Sequence, residues 1–462
     1  MDMNYKKIFM LSVAGVLFAG QAVATPTDEE ISQLGNTLTP LGAIKAGNAD
    51  GTIPAWDGGI CSPPAGYKPI MGSRGGSPYV DPFANEKPLF SISASNLDQY
   101  KDKLDKGTLE LFKRYPDTYR LDVYPTHRTA CYPQWVYDNT IKRVKNPKVV
   151  GDAHGLVDAM AQYPFPIPKT GYEAMWNMLV KHDVPYTEGT QSTYLIDASG
   201  GQTMISKQKI EMRVSYWDKD LDKLPANQPY WQIISTELDP PSNTGNKILL
   251  HMFTNMHERD QMSWSYIPGQ RRVRQAPEFK YDTVSTTSGG ILLFDEVNGG
   301  FSGKMDRYDF KLLGRKEMYV PYNTYKAWAA EPELINTPKH LNPDYLRWEL
   351  HRVWEVEATL KPGARHVQKV KRFYLDEDSW SILVYQADDH AGKVHHLNYL
   401  PTIQSYEKPT FRSGAYIMYD FPKAIYTNGS RMGEPGMTGL YVVDPFPPTK
   451  FTPGSLAGSG LR

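Results

Sequence analysis

The stretch from Trp348 to Leu400 constrains the fold more than any other part of the chain. From Trp348 to Leu360 side chains alternate with period two. Trp348, Leu350, Trp354, Val356, Ala358 and Leu360 fall on one side, and Glu349, His351, Glu355, Glu357 and Thr359 on the other. Only Arg352 and Val353 break the pattern. Side chains alternate across a strand, so this is a long strand with one apolar and one polar face. Lys361-Pro362-Gly363-Ala364, Asp376-Glu377-Asp378-Ser379 and Asp388-Asp389-His390-Ala391-Gly392 are turn sequences. Between and after them run His366 to Leu375, Trp380 to Ala387 and Lys393 to Leu400. Four strands with short connections predict an antiparallel meander.

More β-structure precedes the meander. Ile210, Met212, Val214 and Tyr216 alternate with Lys209, Glu211, Arg213 and Ser215. Trp231 to Thr236 and Lys247 to Thr254 form the next pair. Met262, Trp264 and Tyr266 alternate with Ser263 and Ser265, before the turn Pro268-Gly269 and a basic strand from Arg271 to Arg274. Asp306 to Val320 supplies another strand or two. Two helices are expected. One is capped by Ser95 and runs to Phe112; the other follows Thr170, from Gly171 to Lys181, with Tyr172, Met175, Trp176 and Leu179 on one face. The run after Tyr441, rich in Pro and Gly, is expected as a surface tail.

The first 24 residues have the form of a secretory signal. Lys6 and Lys7 are followed by an apolar core from Ile8 to Ala19, too short to span a bilayer, and by the cleavage pattern Ala22-Val23-Ala24. Residues 25–168 form an irregular segment rich in Pro, Gly and aromatics, and residues 169–462 hold the sheet. The mature chain is expected to be exported. Its two cysteines, Cys61 and Cys131, by default form one disulfide in an oxidising compartment; two buried free thiols are the alternative. The 51 basic and 51 acidic residues cancel, so no global field favours nucleic acid.

Four motifs carry a resemblance: Trp264-Ser265-Tyr266-Ile267-Pro268-Gly269-Gln270-Arg271-Arg272-Val273-Arg274, Gly314-Arg315-Lys316-Glu317-Met318-Tyr319-Val320-Pro321-Tyr322-Asn323, Glu349-Leu350-His351-Arg352-Val353-Trp354, and Phe373-Tyr374-Leu375-Asp376-Glu377-Asp378-Ser379-Trp380. In this order they resemble an exported proteobacterial family of unknown function, grouped with the outer-membrane lipoprotein-sorting proteins (LolA/LolB-like). The resemblance implies a Gram-negative periplasm. It also implies a mainly β (α+β) fold: a curved, unclosed antiparallel β-barrel with helices on the concave side, around an apolar cavity. Members resemble neighbours of export systems of the resistance-nodulation-division type. The family has no established catalytic residues to transfer. Residues 25–168 are extra relative to the simple lipoprotein carriers. Independently, long alternating strands must bury one face, and a sheet that curls on itself does so and can leave a cavity.

Other clusters are weaker. Asp388-Asp389-His390 with His395-His396 has ligand-type side chains but matches no usual zinc spacing, and an ordinary solvated turn is the better reading. Asp295-Glu296-Val297-Asn298-Gly299-Gly300 lacks the alternating oxygens and closing glutamate of a calcium loop. Arg271, Arg272 and Arg274 fit a solvated strand end better than a head-group grip. Arg352 lies on the otherwise apolar face of its strand and needs a partner, either a neighbouring carboxylate or an anionic ligand.

The reading that results is a non-enzymatic periplasmic carrier or chaperone for a lipid or other apolar molecule, without cofactor or metal, serving an envelope export system. The expected ligand-binding residues are Met212, Trp264, Tyr266, Arg352 and Trp354. A scaffold protein of an export complex and an uncharacterised hydrolase are the alternatives.

Overall fold

The computed structural model describes residues 25–68, 79–221, 223–225, 228–277 and 279–458. The expected export signal lies outside them. Sixteen strands form one sheet. In chain order they are β1 (Phe90–Ile92), β2 (Leu121–Val123), β3 (Tyr186–Ile196), β4 (Gln202–Arg213), β5 (Trp231–Asp239), β6 (Lys247–Met252), β7 (Met262–Ile267), β8 (Arg272–Gln275), β9 (Tyr308–Pro321), β10 (Trp348–Leu360), β11 (Val370–Asp376), β12 (Ile382–Asp388), β13 (Val394–Tyr399), β14 (Tyr416–Asp420), β15 (Ile425–Arg431) and β16 (Gly439–Val442). Their spatial order is β1-β2-β10-β11-β12-β13-β14-β15-β3-β4-β5-β6-β7-β8, with β9 along β10 and β16 along β3. Pairing is antiparallel except for one parallel bridge between Val123 and Trp348. Among the described residues β8, at one end of the sheet, pairs with neither β1 nor β9 at the other, so the sheet is unclosed.

The meander β10–β13 forms as its alternation predicts. The bulge against β10 sits on the β9 side, between Leu312 and Gly314. Trp348, Leu350, Trp354 and Val356 therefore keep one face. The polar face of β10 is covered as well: Glu349 and His351 are fully buried. Glu349 accepts hydrogen bonds from Arg347 Nε at 2.5 Å, the His127 amide at 2.8 Å and Asn323 Nδ2 at 3.0 Å. The His351 ring stacks on Tyr322 at 3.8 Å. His127 of the irregular N-terminal segment supplies part of this cover, and Tyr322 and Asn323, just after β9, supply more.

Two helices expected from sequence differ from what forms. Helix α1 (Lys106–Arg114) starts later than Ser95. Residues 97–103 make two short 3-10 turns, Leu104 is extended, and Asp105 is the cap, its carboxylate accepting from the Thr108 amide at 2.9 Å. Its Gly107 face lies against Leu397 of β13. Helix α2 (Gly171–Leu179) stops two residues short of Lys181. Thr170 and Glu173 form a capping box at its start. It packs on β9 and β10, with Gly171 against the Phe310 backbone, where any Cβ would come within 2.6 Å. No described helix is long and apolar enough to cross a membrane.

The run after Tyr441 is not a loose tail. Phe446, Phe451 and Leu456 pack on Ile234, Leu249 and Tyr266, because the alternate residues of β5–β7 leave an apolar stripe on that face.

Cys61 and Cys131 are bonded to each other, 70 residues apart in sequence. Cys131 is fixed to the rest of the fold by Gln404, whose Nε2 donates to the Cys131 carbonyl at 2.9 Å. Closing a loop of this length removes about 4 kcal/mol of unfolded-chain freedom in the entropy model. Urea unfolding with and without reductant should differ by about that amount. Superimposable curves would show that the crosslink does not contribute to stability.

Candidate functional site

The inner face of β4–β6 is built from alternate residues in register. Ile210, Ser235 and Ile248 lie side by side, as do Met212, Ile233 and Leu250. These two rows line a cavity of about 300 Å³. Its other walls come from the end of α2, from the connection between β8 and β9, and from residues 410–414. In the connection, Phe279 and Phe294 stack at 4.7 Å, and Leu292 faces the cavity. The cavity is thus a pocket between half of the sheet and an apolar insertion.

One end of it is charged. Lys181, His182, Asp183 and Arg412 line the wall there. Lys181 Nζ donates to Ser413 Oγ at 2.8 Å, and burial pushes its ammonium down to about 8, opposed by Asp183. Arg412 is buried; its Nη1 stands 3.6 Å from Asp183 Oδ1, and its Nε has no hydrogen-bond partner among the described residues. His182 is neutral: burial, with Arg412 adding to it, lowers it to about 3, and its Nδ1 meets Thr410 Oγ1 at 2.7 Å.

Of the five residues expected to bind ligand, the structure puts one, Met212, in this cavity. Trp264 and Tyr266 lie on the opposite face, because their partners across the ladder are Leu249 and Lys247, not Leu250 and Ile248. There they meet the C-terminal segment. Trp354 stacks on Trp380 at 5.7 Å, under the Arg315 guanidinium at 3.9 Å. Arg352 has the structural partners that an apolar face requires. Its Nε donates to Glu377 Oε1 at 2.6 Å, and its Nη2 to the carbonyls of Ala46 at 2.7 Å and Ile44 at 3.0 Å. It therefore fastens the N-terminal segment to the sheet, away from the cavity.

Two charge networks are buried in the fold; of their residues, Glu296 lines the cavity. The turn Asp376–Ser379 is enclosed, with its three carboxylates at most 5% exposed. Arg128 grips Asp378 with both Nη2 at 2.6 Å and Nε at 2.8 Å, and reaches the Ile44 carbonyl at 2.9 Å. Burial, reinforced by Asp378, pushes Asp376 well above the usual carboxylate range. It accepts from Ser379 Oγ at 2.7 Å. In the second network, Glu296 meets His396 Nδ1 at 2.8 Å and accepts from Tyr385 at 3.0 Å. Burial pushes Glu296 up, but the His396 charge outweighs this and holds it well below the usual range. His396 is in turn raised to about 9 by Glu296 and Asp420 against the effect of burial. Asp295 joins Lys371 at 2.5 Å and His366 at 3.1 Å.

The other sequence clusters separate. Asp388 pairs with Lys106 at 3.0 Å, Asp389 caps its own turn, and His390 bonds the His366 carbonyl at 2.8 Å. No group of three metal-type side chains converges among the described residues. Arg271, Arg272 and Arg274 are exposed.

A family model described as "Protein of unknown function (DUF1329)" matches residues 91–457. An uncharacterized protein of Pseudomonas aeruginosa, PA3922, is 39% identical over 421 residues, 89% of each chain. Among solved structures, a DUF1329 family protein from Desulfovibrio piger is similar over 62% of this chain and 97% of its own, with 13% identity and a TM-score of 0.42. A LolA superfamily protein, NE2245 from Nitrosomonas europaea, is similar over 59% and 92%, with 10% identity and a TM-score of 0.34. With the model spanning most of its length and a relative of this identity, the chain belongs to the DUF1329 family of proteins of unknown function.

Proposed function

We propose that this protein is a non-enzymatic periplasmic carrier or chaperone that holds a lipid or other apolar molecule for an envelope export system. The observation that carries the reading is the cavity. Two rows in register, apolar but for Ser235, and a largely apolar insertion leave about 300 Å³ unfilled where side chains of ordinary size could have closed the core. Closed cores pack to near-crystalline density, and an opening of this size falls at the lower end of small-ligand pockets, roughly 300–1,000 Å³. Each methylene transferred into it contributes about 0.8 kcal/mol. The disulfide suits an exported chain. Exchange of the ligand with a resistance-nodulation-division type system follows from the family resemblance and belongs to the proposal.

The test is direct. Native mass spectrometry of the purified protein, followed by organic extraction, should find a co-purified apolar molecule or uptake of an added apolar fluorescent probe. Ile233→Trp, which fills the cavity from the sheet side, should weaken probe binding about tenfold or more. If the wild type takes up no probe and Ile233→Trp is as stable as the wild type, a scaffold role replaces the carrier reading.

A further inference from the structure

We infer that the cavity takes a single-chain amphiphile with a monoanionic head, a fatty carboxylate, whose head sits between Lys181 and Arg412 and whose chain runs along Ile210, Met212, Ile233 and Leu250. This rests on the carrier reading and names its ligand class. Three observations support it.

The first is charge. Lys181 and Arg412 bring two cations to one end of a mainly apolar cavity, and both turn to the same carboxylate, Asp183; the other carboxylate of the lining, Glu296, is taken up by His396. Glu407 acts on Arg412 from further out and accepts from Tyr67. A buried cation needs a partner, and in the cavity wall itself two cations share the one carboxylate of Asp183, Glu407 lying outside the lining. A single negative charge restores the balance.

The second is unused hydrogen-bonding capacity. The Arg412 Nε–H is buried without a partner among the described residues, and the Lys181 ammonium, which carries three donors, gives one of them to the Ser413 hydroxyl. A carboxylate has two oxygens that can accept from both side chains at once.

The third is the backbone that makes room for the ammonium. Asn298, Gly299 and Gly300 all have positive φ, at 57°, 85° and 103°. A Cβ on Gly299 would lie 2.7 Å from Lys181 Nζ. Only glycine lets the chain turn there while the ammonium occupies that space. The Lys181 position is therefore built into the wall. The modest volume favours one acyl chain over a two-chain lipid.

Binding of dodecanoate, dodecanol and dodecylamine to the full mature chain, measured by displacement of an apolar fluorescent probe, tests this. Dodecanoate should bind about tenfold or more tighter than dodecanol, and dodecylamine weakest. Lys181→Met should fold, because it replaces a buried charge with an apolar chain of similar length. It should lose most of the preference for dodecanoate while keeping its dodecanol affinity. Gly299→Ala, which displaces the ammonium without removing it, should lower dodecanoate affinity in the same sense. Equal binding of dodecanoate and dodecanol by the wild type, or an unchanged preference in Lys181→Met, would overturn the inference and leave the carrier reading standing. A lysophosphatidylglycerol of equal chain length that displaces the probe where dodecanoate does not would overturn the carboxylate assignment. Failure of every ligand and of the probe itself would overturn both readings.

Discussion

Replacing Arg128 with methionine should cost the fold about 3–5 kcal/mol, the usual effect of stranding a buried charge. The side chain is 2% exposed and makes a bidentate pair with Asp378, with Glu377 at 3.5 Å. Without it, Asp378 is left in a sealed turn where Asp376 is already forced toward its neutral form. Arg352→Met should cost less, because Glu377 then still has Arg128 beside it. Urea unfolding of both variants checks the order. If Arg128→Met unfolds with the wild type, the turn opens to water in solution. Neither substitution should change ligand affinity in the folded protein, since neither residue lines the cavity.

The second large effect is expected at His396. His396→Leu leaves Glu296 buried with the neutral donors Tyr385, Gln368 and the Leu293 amide against its carboxylate and Lys371 acting without a direct bond, and should cost about 3 kcal/mol or more. It should also change the shape of the stability–pH curve. An unfolded-chain histidine titrates near 6.5, whereas His396 in the fold titrates at about 9. The stability it contributes is therefore complete below pH 6.5 and is lost as the pH rises through about 9. The wild type should lose stability between these values and the variant should not. His182 acts with the opposite sign. Lowered to about 3, it contributes stability that is present above 6.5 and is lost as the pH falls. Parallel curves for the wild type and His396→Leu between pH 6.5 and 9 would show that His396 is not the charged partner of Glu296.

The sheet was legible because period-two alternation is a local signal. The meander, the helix after Thr170 and the family resemblance all followed from short stretches, and the structure and the family match bear them out. The cavity was only half legible. Met212 lies on a strand whose alternation could be read, but the same rule applied to Trp264 and Tyr266 gave no information on which face was inside. That choice depends on register with β6 and on the C-terminal segment that covers the other side. Lys181 sits just past a helix end and Arg412 in a short strand of its own, with no periodicity to mark them. Their convergence is set by contacts more than 200 residues apart in the chain, such as Lys181 with Ser413. The turn Asp376–Ser379 was legible as a turn, but its burial was not, for a related reason. Its composition is that of a solvated turn, and its burial is imposed by Arg128 and residues 41–46. The apolar run Ile291 to Phe294 was the one available sign that the β8–β9 connection turns inward.

The pairing of β3 has a consequence for how the chain must be handled as it is made. One edge of this strand joins β4 at once, but the other waits for β15 and β16, and Thr190 meets Thr438 across 248 residues. A chain emerging from its N-terminus must keep that edge unsatisfied until almost the last residue has appeared. Long-range strand pairing of this kind is slow, and an open edge invites pairing with other chains. Truncation only a few dozen residues before the end should therefore yield aggregation, not a smaller folded protein, and a holdase acting on the nascent chain should bind at β3.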